Sequence, residues 1–411
     1  MVKAGHKQTD AGLIPEDWEV LPFNKTLNIA SGQVDPRKPP FCEFLLVAPD
    51  HIEEATGRLL ERKTAFEQSA ISGKYVFESG QIVYSKIRPY LRKLIFSDCT
   101  GLCSADMYPL SATTAADAKF CFYAMLGERF SNFASTISAR SGIPKINREE
   151  ISEFSFALPP KPEQSAIAGV LSDMDGLIAG LEALIAKKRA VKIATMQQLL
   201  TGKTRLPGYV RDWKEISIGK DARLSARIGW QALTTKEYME SGDYFLVTGT
   251  DFSNGAVDWS SCWFVDEWRY SQDRKIQLRA QDVLVTKDGT IGKAGYVEEL
   301  VGPATLNSGV FVIRPIDNSF CPKFLYHVLT SRIFDEFIDE ISAGSTITHL
   351  YQKDFVKFSF MAPEYDEQEE VSEVLSSMDQ DISALEVRLS KTKALKHGVM
   401  QELLTGRTRL V

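Results

Sequence analysis

One stretch of this chain occurs twice, and that constrains its fold more than anything else in the sequence. Residues Glu163 to Leu206 align without a gap to Glu367 to Leu410, at a spacing of 204 residues and with about half of the positions identical. Identity at that level over such a span means duplication, so the fold has to be built twice from one plan.

Each copy places apolar residues at alternating steps of four and three. They are Ile167, Leu171, Met174, Ile178, Leu181 and Ile185 in the first, and Val371, Leu375, Met378, Ile382, Leu385 and Leu389 in the second. This is a coiled-coil seam, and it predicts two long helices. Pro159, Pro160 and Pro162 bar a helix upstream of the first, Pro363 does so for the second, and Gly202 and Gly406 supply matching stops. Past the seam the stripe is expected to shift to Val191, Thr195 and Leu199, or Leu395, Val399 and Leu403, with Met196 and Met400 beside it. At 1.5 Å per residue each helix would be roughly 57 Å long. Neither can hide its stripe alone, so the two are predicted to pack antiparallel as a rigid spacer.

The repeat reaches beyond the helices. Residues 141–146 face 345–350 and 151–156 face 355–360 at the same spacing, while Asp17-Trp18 meets Asp212-Trp213 at 195, so the second copy is nine residues longer. Between these anchors, Glu19 to Gly80 and Lys214 to Ala280 have little in common, which gives one duplicated scaffold two different variable surfaces. Short Val, Ile, Phe, Tyr and Trp runs broken by Gly, Pro, Asp and the pair Asn254-Gly255 predict strands and turns there. Residues 12–18 also resemble 206–213, which follow the first helix, so the repeat closes on itself as a circular two-fold object with its termini close together. The expected fold is α/β (α+β): a β-rich module over 1–158, a helix over 159–203, a second module over 204–362 and a second helix over 363–411.

A net charge of −6 argues against a chain that grips nucleic acid everywhere by charge alone, though not against a local basic groove. No apolar run approaches a membrane span and the start lacks a signal-peptide core, so a cytoplasmic protein is expected. The six cysteines show no CxxC spacing, and Cys99 with Cys103 lacks a second pair, so buried free thiols are expected and no metal. Gly202-Lys203-Thr204 imitates the end of a P-loop, but position 197 is Gln where that motif needs Gly, and the second copy has Arg407 for the Lys. Lys38-Pro39-Pro40-Phe41 imitates a methyltransferase loop whose first residue must accept a hydrogen bond, which Lys cannot do. With five scattered histidines and no nucleophile motif, no catalytic or cofactor-binding residues are expected.

Binding remains. Lys86, Arg88, Arg92 and Lys93 form a run without acids, interleaved with Tyr84 and Tyr90, and Arg129, Arg140, Lys145 and Arg148 form a second. One such run is usually just a solvated face. Here the second half also has a strand-end lysine, Lys287, leading into a loop with Thr290 and Lys293, and two coincident loops point to a phosphate-binding edge. Ser141, Ser345 and Thr346 offer hydroxyl and backbone donors for the same task.

These features together resemble the specificity subunit of type I restriction-modification systems. The resemblance rests on two variable domains each followed by a long helix, the lead-in Pro160-Lys161-Pro162-Glu163-Gln164 with its one-proline form at Pro363 to Gln368, and the LLTG ends at Leu199 to Gly202 and Leu403 to Gly406. It implies a chain without catalysis of its own, whose target-recognition domains read the two halves of an asymmetric DNA site. It further implies that the helices dock two methyltransferase subunits and that a motor-nuclease subunit can join, with S-adenosylmethionine and ATP on those partners. The competing classes are a fused methyltransferase or nuclease with unrecognised motifs, and a scaffold that never touches DNA.

Overall fold

Two 39-residue helices, Lys161–Leu199 and Tyr365–Leu403, form where the seam predicts them. The computed structural model describes residues 5–139, 143–228, 233–253, 255–342 and 349–410. Pro162 does not precede the first helix but lies in its first turn, where a missing N–H leaves no helical bond unmade. Both helices end at a glycine in the left-handed region, Gly202 at φ +69° and Gly406 at φ +70°. A Cβ on Gly406 would meet the Pro15 ring at 2.5 Å, so close approach as well as φ demands glycine there.

The chain folds into two compact units, Met1–Glu182 with Val387–Val411, and Ala183–Glu386. Each unit therefore holds the first part of one long helix and the last part of the other. Within the first unit Lys396 meets Asp175 at 2.5 Å and Lys393 meets Glu182 at 2.7 Å. Within the second, Lys192 meets Asp379 and Arg189 meets Glu386, both at 2.5 Å. Partner numbers fall as helix numbers rise, so the helix segments run antiparallel in each unit, and the two sets of pairs are copies at the repeat spacing. Ile167, Leu171, Leu181, Ile185, Val371, Leu375 and Ile382 are buried, and Met174, Ile178, Met378, Leu385 and Leu389 half-buried.

The expected shift of the stripe to Val191 and Leu395 does not occur: they are 46% and 60% exposed. The inward position belongs to the next residue, Lys192 or Lys396, whose stem packs while its ammonium meets the aspartate of the facing helix. Lys396 is only 8% exposed. Hydrophobic periodicity cannot reveal an inward position filled by the lysine of an ion pair.

The modules share a frame. In the first, an antiparallel sheet runs Leu27–Ile29, Met107–Ala112, Ile82–Ser85, Leu94–Phe96. In the second, Ala222–Ala226, Val310–Pro315, Val283–Thr286 and Ala294–Tyr296 repeat that order, and a small hairpin, Phe252–Ser253 with Ala256–Val257, extends it. Gly255 turns this hairpin at φ +80°, while Asn254 lies outside the described residues. A helix pair follows each sheet, Ala118–Leu126 with Glu128–Ile137 and Pro322–Leu329 with Arg332–Ser342. Phe120, Met125 and Phe130 pack there with Ile167 and Leu171 of the long helix, and Phe324, Leu329 and Phe334 with Val371 and Leu375. All six cysteines are free; Cys42, in the short 3-10 turn Phe41–Glu43, and Cys99, in a loop, are half-buried rather than buried.

The two motifs of the repeat turn out to be each other's partners. In the first unit Glu163, 3% exposed at its side chain, accepts from Arg409 at 2.7 Å, and Arg409 reaches on to Asp17. Trp18 Nε1 donates to the same glutamate at 3.3 Å. In the second unit Arg205 grips Glu367, which is 1% exposed. Arg409 holds the Asp17 carboxyl below the usual carboxylate range, chiefly through its hydrogen bond. The neighbouring glutamines tie the lead-in to the helix pair: Gln164 accepts from Asp117 N at 2.7 Å and donates to Pro159 O at 2.9 Å, and Gln368 repeats this with Cys321 N and Pro363 O.

Candidate nucleic-acid interface

Lys86 and Lys287 leave equivalent strands in equivalent ways. Lys86 N donates to Asp106 O at 3.0 Å and Lys287 N to Gly309 O at 2.9 Å, while their carbonyls accept from Ile146 N at 2.9 Å and Leu350 N at 2.8 Å. Each ammonium lies over an aromatic ring of the neighbouring strand, 5.5 Å from the Tyr108 centroid and 5.3 Å from that of Phe311. Lys86 Nζ also donates to Ala105 O at 2.7 Å. Both lysines are half-buried, and burial pulls the Lys287 ammonium below the usual lysine range. Neither ring stood out in the sequence, since an aromatic in an alternating strand looks like core.

In the first unit the loop after Lys86 pairs with the segment carrying Lys145: Ile87 bridges Lys145, and Arg88 N donates to Pro144 O at 2.8 Å. Arg88 and Lys145 are exposed, so Lys86, Arg88 and Lys145 come together. Arg148 joins them, 5.3 Å from the Tyr108 centroid and bonded to Ala30 O at 2.6 Å. Arg92 instead lines a groove beside Arg129 and the end of the second long helix, and Lys93 is half-buried at the start of the next strand. Arg88 and Arg92 both hold left-handed backbone, at φ +48° and +50°.

In the second unit glycines fill the corresponding positions, Gly289 at φ +71° and Gly292 at φ +79°. Thr290 is exposed, and its carbonyl accepts from Thr286 Oγ1. Lys293 is half-buried, with Nζ 5.8 Å from the Phe252 centroid and 3.5 Å from Gly249 O. Asp288 pairs with His349, so this edge is less positive than its counterpart. Arg140, Ser141, Ser345 and Thr346 lie outside the described residues.

Among the described residues no three His, Cys, Asp or Glu side chains gather as a metal site would, and no helix is long and apolar enough to cross a membrane. Compared with known proteins, residues 62–187 and 211–392 both match the family model of the type I restriction modification DNA specificity domain. The chain belongs to this family. Its members of known name include the EcoDI specificity subunit of Escherichia coli, 40% identical over 154 residues, a match spanning 38% of this chain but only 34% of that subunit. The MjaVIII specificity subunit of Methanocaldococcus jannaschii is 23% identical over 97% of this chain and 94% of its own length. Among solved structures, the S subunit of the type I restriction-modification system of M. genitalium superposes with a TM-score of 0.62 at 17% identity, covering 94% of this chain and 96% of that one. A chain from a study of complex assembly and conformational transition of the type I R-M system gives 0.57 at 18%, covering 96% and 99%. At such identities the likeness speaks for the fold. The specificity family is that of the subunit that carries target choice in a restriction-modification system, not of its catalytic chains.

Proposed function

We propose that this specificity subunit reads a bipartite, asymmetric DNA site, one half with each unit, and that its long helices dock two methyltransferase subunits and admit a motor-nuclease subunit. S-adenosylmethionine and ATP would then be bound by those partners, in the cytoplasm, and this chain would choose the site without reacting with it. The observation that carries the reading is the matched geometry of Lys86 and Lys287 within modules whose inserts differ, because phosphate contact is a task common to every DNA half-site whereas base reading is not. Lys145, Arg88 and Arg148 would add contacts in the first half, and Lys293, Thr290 and backbone at Gly289 in the second. Helix docking is supported by Val170, Leu177, Leu184 and Val191, spaced by sevens along one helix and 38% to 46% exposed.

The test uses the assembled complex with Lys86→Ala or Lys287→Ala. A phosphate contact predicts equal weakening on specific and nonspecific DNA and a salt slope lower by about one unit per contact. Lys86→Ala also loses the bond to Ala105, so its stability should fall by about 0.5 to 1.5 kcal/mol. A loss of sequence preference at one base pair with the salt slope intact would show that the lysine reads a base. Unchanged binding would return both lysines to the role of solvating a loop.

A further inference from the structure

The backbone that holds each strand-end lysine carries a polar side chain two residues earlier, and the two units use it differently. Lys86 N is bonded to Asp106 O and Lys287 N to Gly309 O, and the residues in question are Ser104 and Asn307. They are equivalent: Ser104 N donates to Val47 O at 2.9 Å and Asn307 N to Val247 O at 3.0 Å, just after the matching strands Gly101–Cys103 and Ala304–Leu306. Each closes the same turn, Ser104 Oγ accepting from Asp106 N at 3.2 Å and Asn307 Oδ1 from Gly309 N at 2.5 Å. Among the described residues the serine reaches nothing further. The asparagine has a second polar atom, and its Nδ2 donates at 2.6 Å to the hydroxyl of Tyr238, which stands in the variable segment of the second unit.

This chain of bonds sets the polarity of the tyrosine. A backbone N–H can only donate, so the amide oxygen of Asn307 faces Gly309 and its amino group faces Tyr238. A phenol has two positions near its ring plane for its proton, and the amino group excludes the proton from one of them. Among the described residues nothing accepts it at the other. Water satisfies any accessible hydroxyl, but an ordinary hydroxyl turns to donate or accept as its neighbour requires. This one is left as a donor. It is also held in place. Glu237, just before it, accepts from Thr234 N at 2.8 Å and pairs with Arg269, while Met239, just after it, exchanges two backbone bonds of 2.9 Å with Phe264. Tyr238 itself is half-buried, and Trp263, 6.0 Å away between ring centroids, is exposed.

We propose that Tyr238, oriented by Asn307, discriminates one base of the half-site bound by the second unit, donating its hydroxyl proton to the major-groove edge of that base. The proposal rests on the two-half reading above and names a residue that makes the choice. Guanine, adenine N7 and thymine O4 can accept such a proton, whereas cytosine shows the major groove only its amino donor and is excluded. The placement fits the task. Asn307 lies two residues, at most about 7 Å of extended chain, from the Gly309 backbone that holds Lys287. Tyr238 belongs to the segment that differs between the units, as a base reader must, while the phosphate contact beside it belongs to the common frame.

The experiment selects DNA from a randomised duplex library with the assembled complex and sequences what is bound. A photo-crosslinking residue at the exposed Thr290 marks the half held by the second unit. Tyr238→Phe keeps the ring and should relax the preference at one base pair of that half by about two- to tenfold, with the salt slope and the other half unaltered. Asn307→Asp keeps the bond from Gly309 but offers the tyrosine an acceptor, so the hydroxyl proton turns inward and the same position should now favour cytosine or adenine, whose amino groups donate. A merely structural role predicts lower stability with the same sequence preference, and that result for Tyr238→Phe would overturn the proposal, even if Asn307→Asp does not fold. An unchanged preferred base in Asn307→Asp complexes that bind, or a change confined to the half held by the first unit, would overturn it too. Each of these outcomes leaves the two-half reading standing. An unaltered complex that selects no two-part sequence would sink that reading, and the proposal with it.

Discussion

The two units build the same small sheet and add to it on opposite edges. In the first, Leu45–Val47 runs parallel to Gly101–Cys103, and the third strand, Tyr75–Phe77, joins on the side of Gly101–Cys103. In the second, Tyr244–Val247 runs parallel to Ala304–Leu306, and the third strand, Trp263–Val265, joins on the side of Tyr244–Val247. The vacated edge keeps a single bridge in each, Leu45 with Thr64 and Gln277 with Thr305. A sheet edge accepts any strand whose register suits it, so divergence collects there, whereas the clasped glutamate and the glutamine that ties the helix pair have fixed partners. The variable surfaces are free because the frame is not.

The largest effect that can break this comparison lies in the clasps. Arg409→Met leaves Glu163 buried without its cation and should destabilise the first unit by about 3 to 5 kcal/mol, and Arg205→Met should do the same to the second through Glu367. Arg409 also holds Asp17, so its loss should be the larger in calorimetry. Arg205 also donates to Arg211 O at 2.9 Å, so equal losses would mean that the Asp17 contact contributes no more than that bond.

A middle-sized effect separates the units by pH. At the place where the first unit has Tyr123, bonded to Asp175 at 2.8 Å, the second has His327, fully buried and 3.2 Å from Ser376 Oγ. Burial, helped by Lys192 and Lys323, pushes the imidazole down to about 3. The unfolded chain takes up this proton near pH 6.5 and the folded one only near 3, so stability is fully present above the unfolded value and falls as pH drops between the two. The slope is at most about 1.4 kcal/mol per pH unit. Urea titrations of His327→Gln should lack this part of the acid sensitivity. If the slope is unchanged, the histidine is not the source.

The smallest effect concerns the loops after the lysines. Gly289→Arg has room for its Cβ but takes left-handed backbone, and should cost about 1 to 2 kcal/mol in denaturant unfolding. It should also strengthen DNA binding at low salt by adding a cation where the first unit has one. Arg88→Gly should leave stability within about 1 kcal/mol and weaken binding. If Arg88→Gly leaves binding unaltered, the strained arginine has no part in the interface.

The helices, their antiparallel pairing within each unit and the duplicated frame were legible because a seam and a gapless repeat are local signals that packing only confirms. The sheets of the modules could be read as strand-rich segments, but their edges could not, since which edge takes the third strand depends on register between residues such as Leu45 and Gly101. Lysines at strand ends were visible as charges; Tyr108 and Phe311 beneath them were not. The motif partners were hidden for another reason. Glu163 and Arg205 stand in one copy, and nothing local says that each pairs with the other copy's member.

That exchange sets the order in which the molecule can be finished. Glu163 waits for Arg409, 246 residues later in the chain. At roughly 5 to 20 residues per second on the ribosome, the delay is on the order of 12 to 50 s. The unit that begins first is thus closed after the residues of the other, and a chain released before Arg409 leaves that glutamate buried without a cation. Completion of the first unit reports that the residues of the second, Ala183–Glu386, have been made.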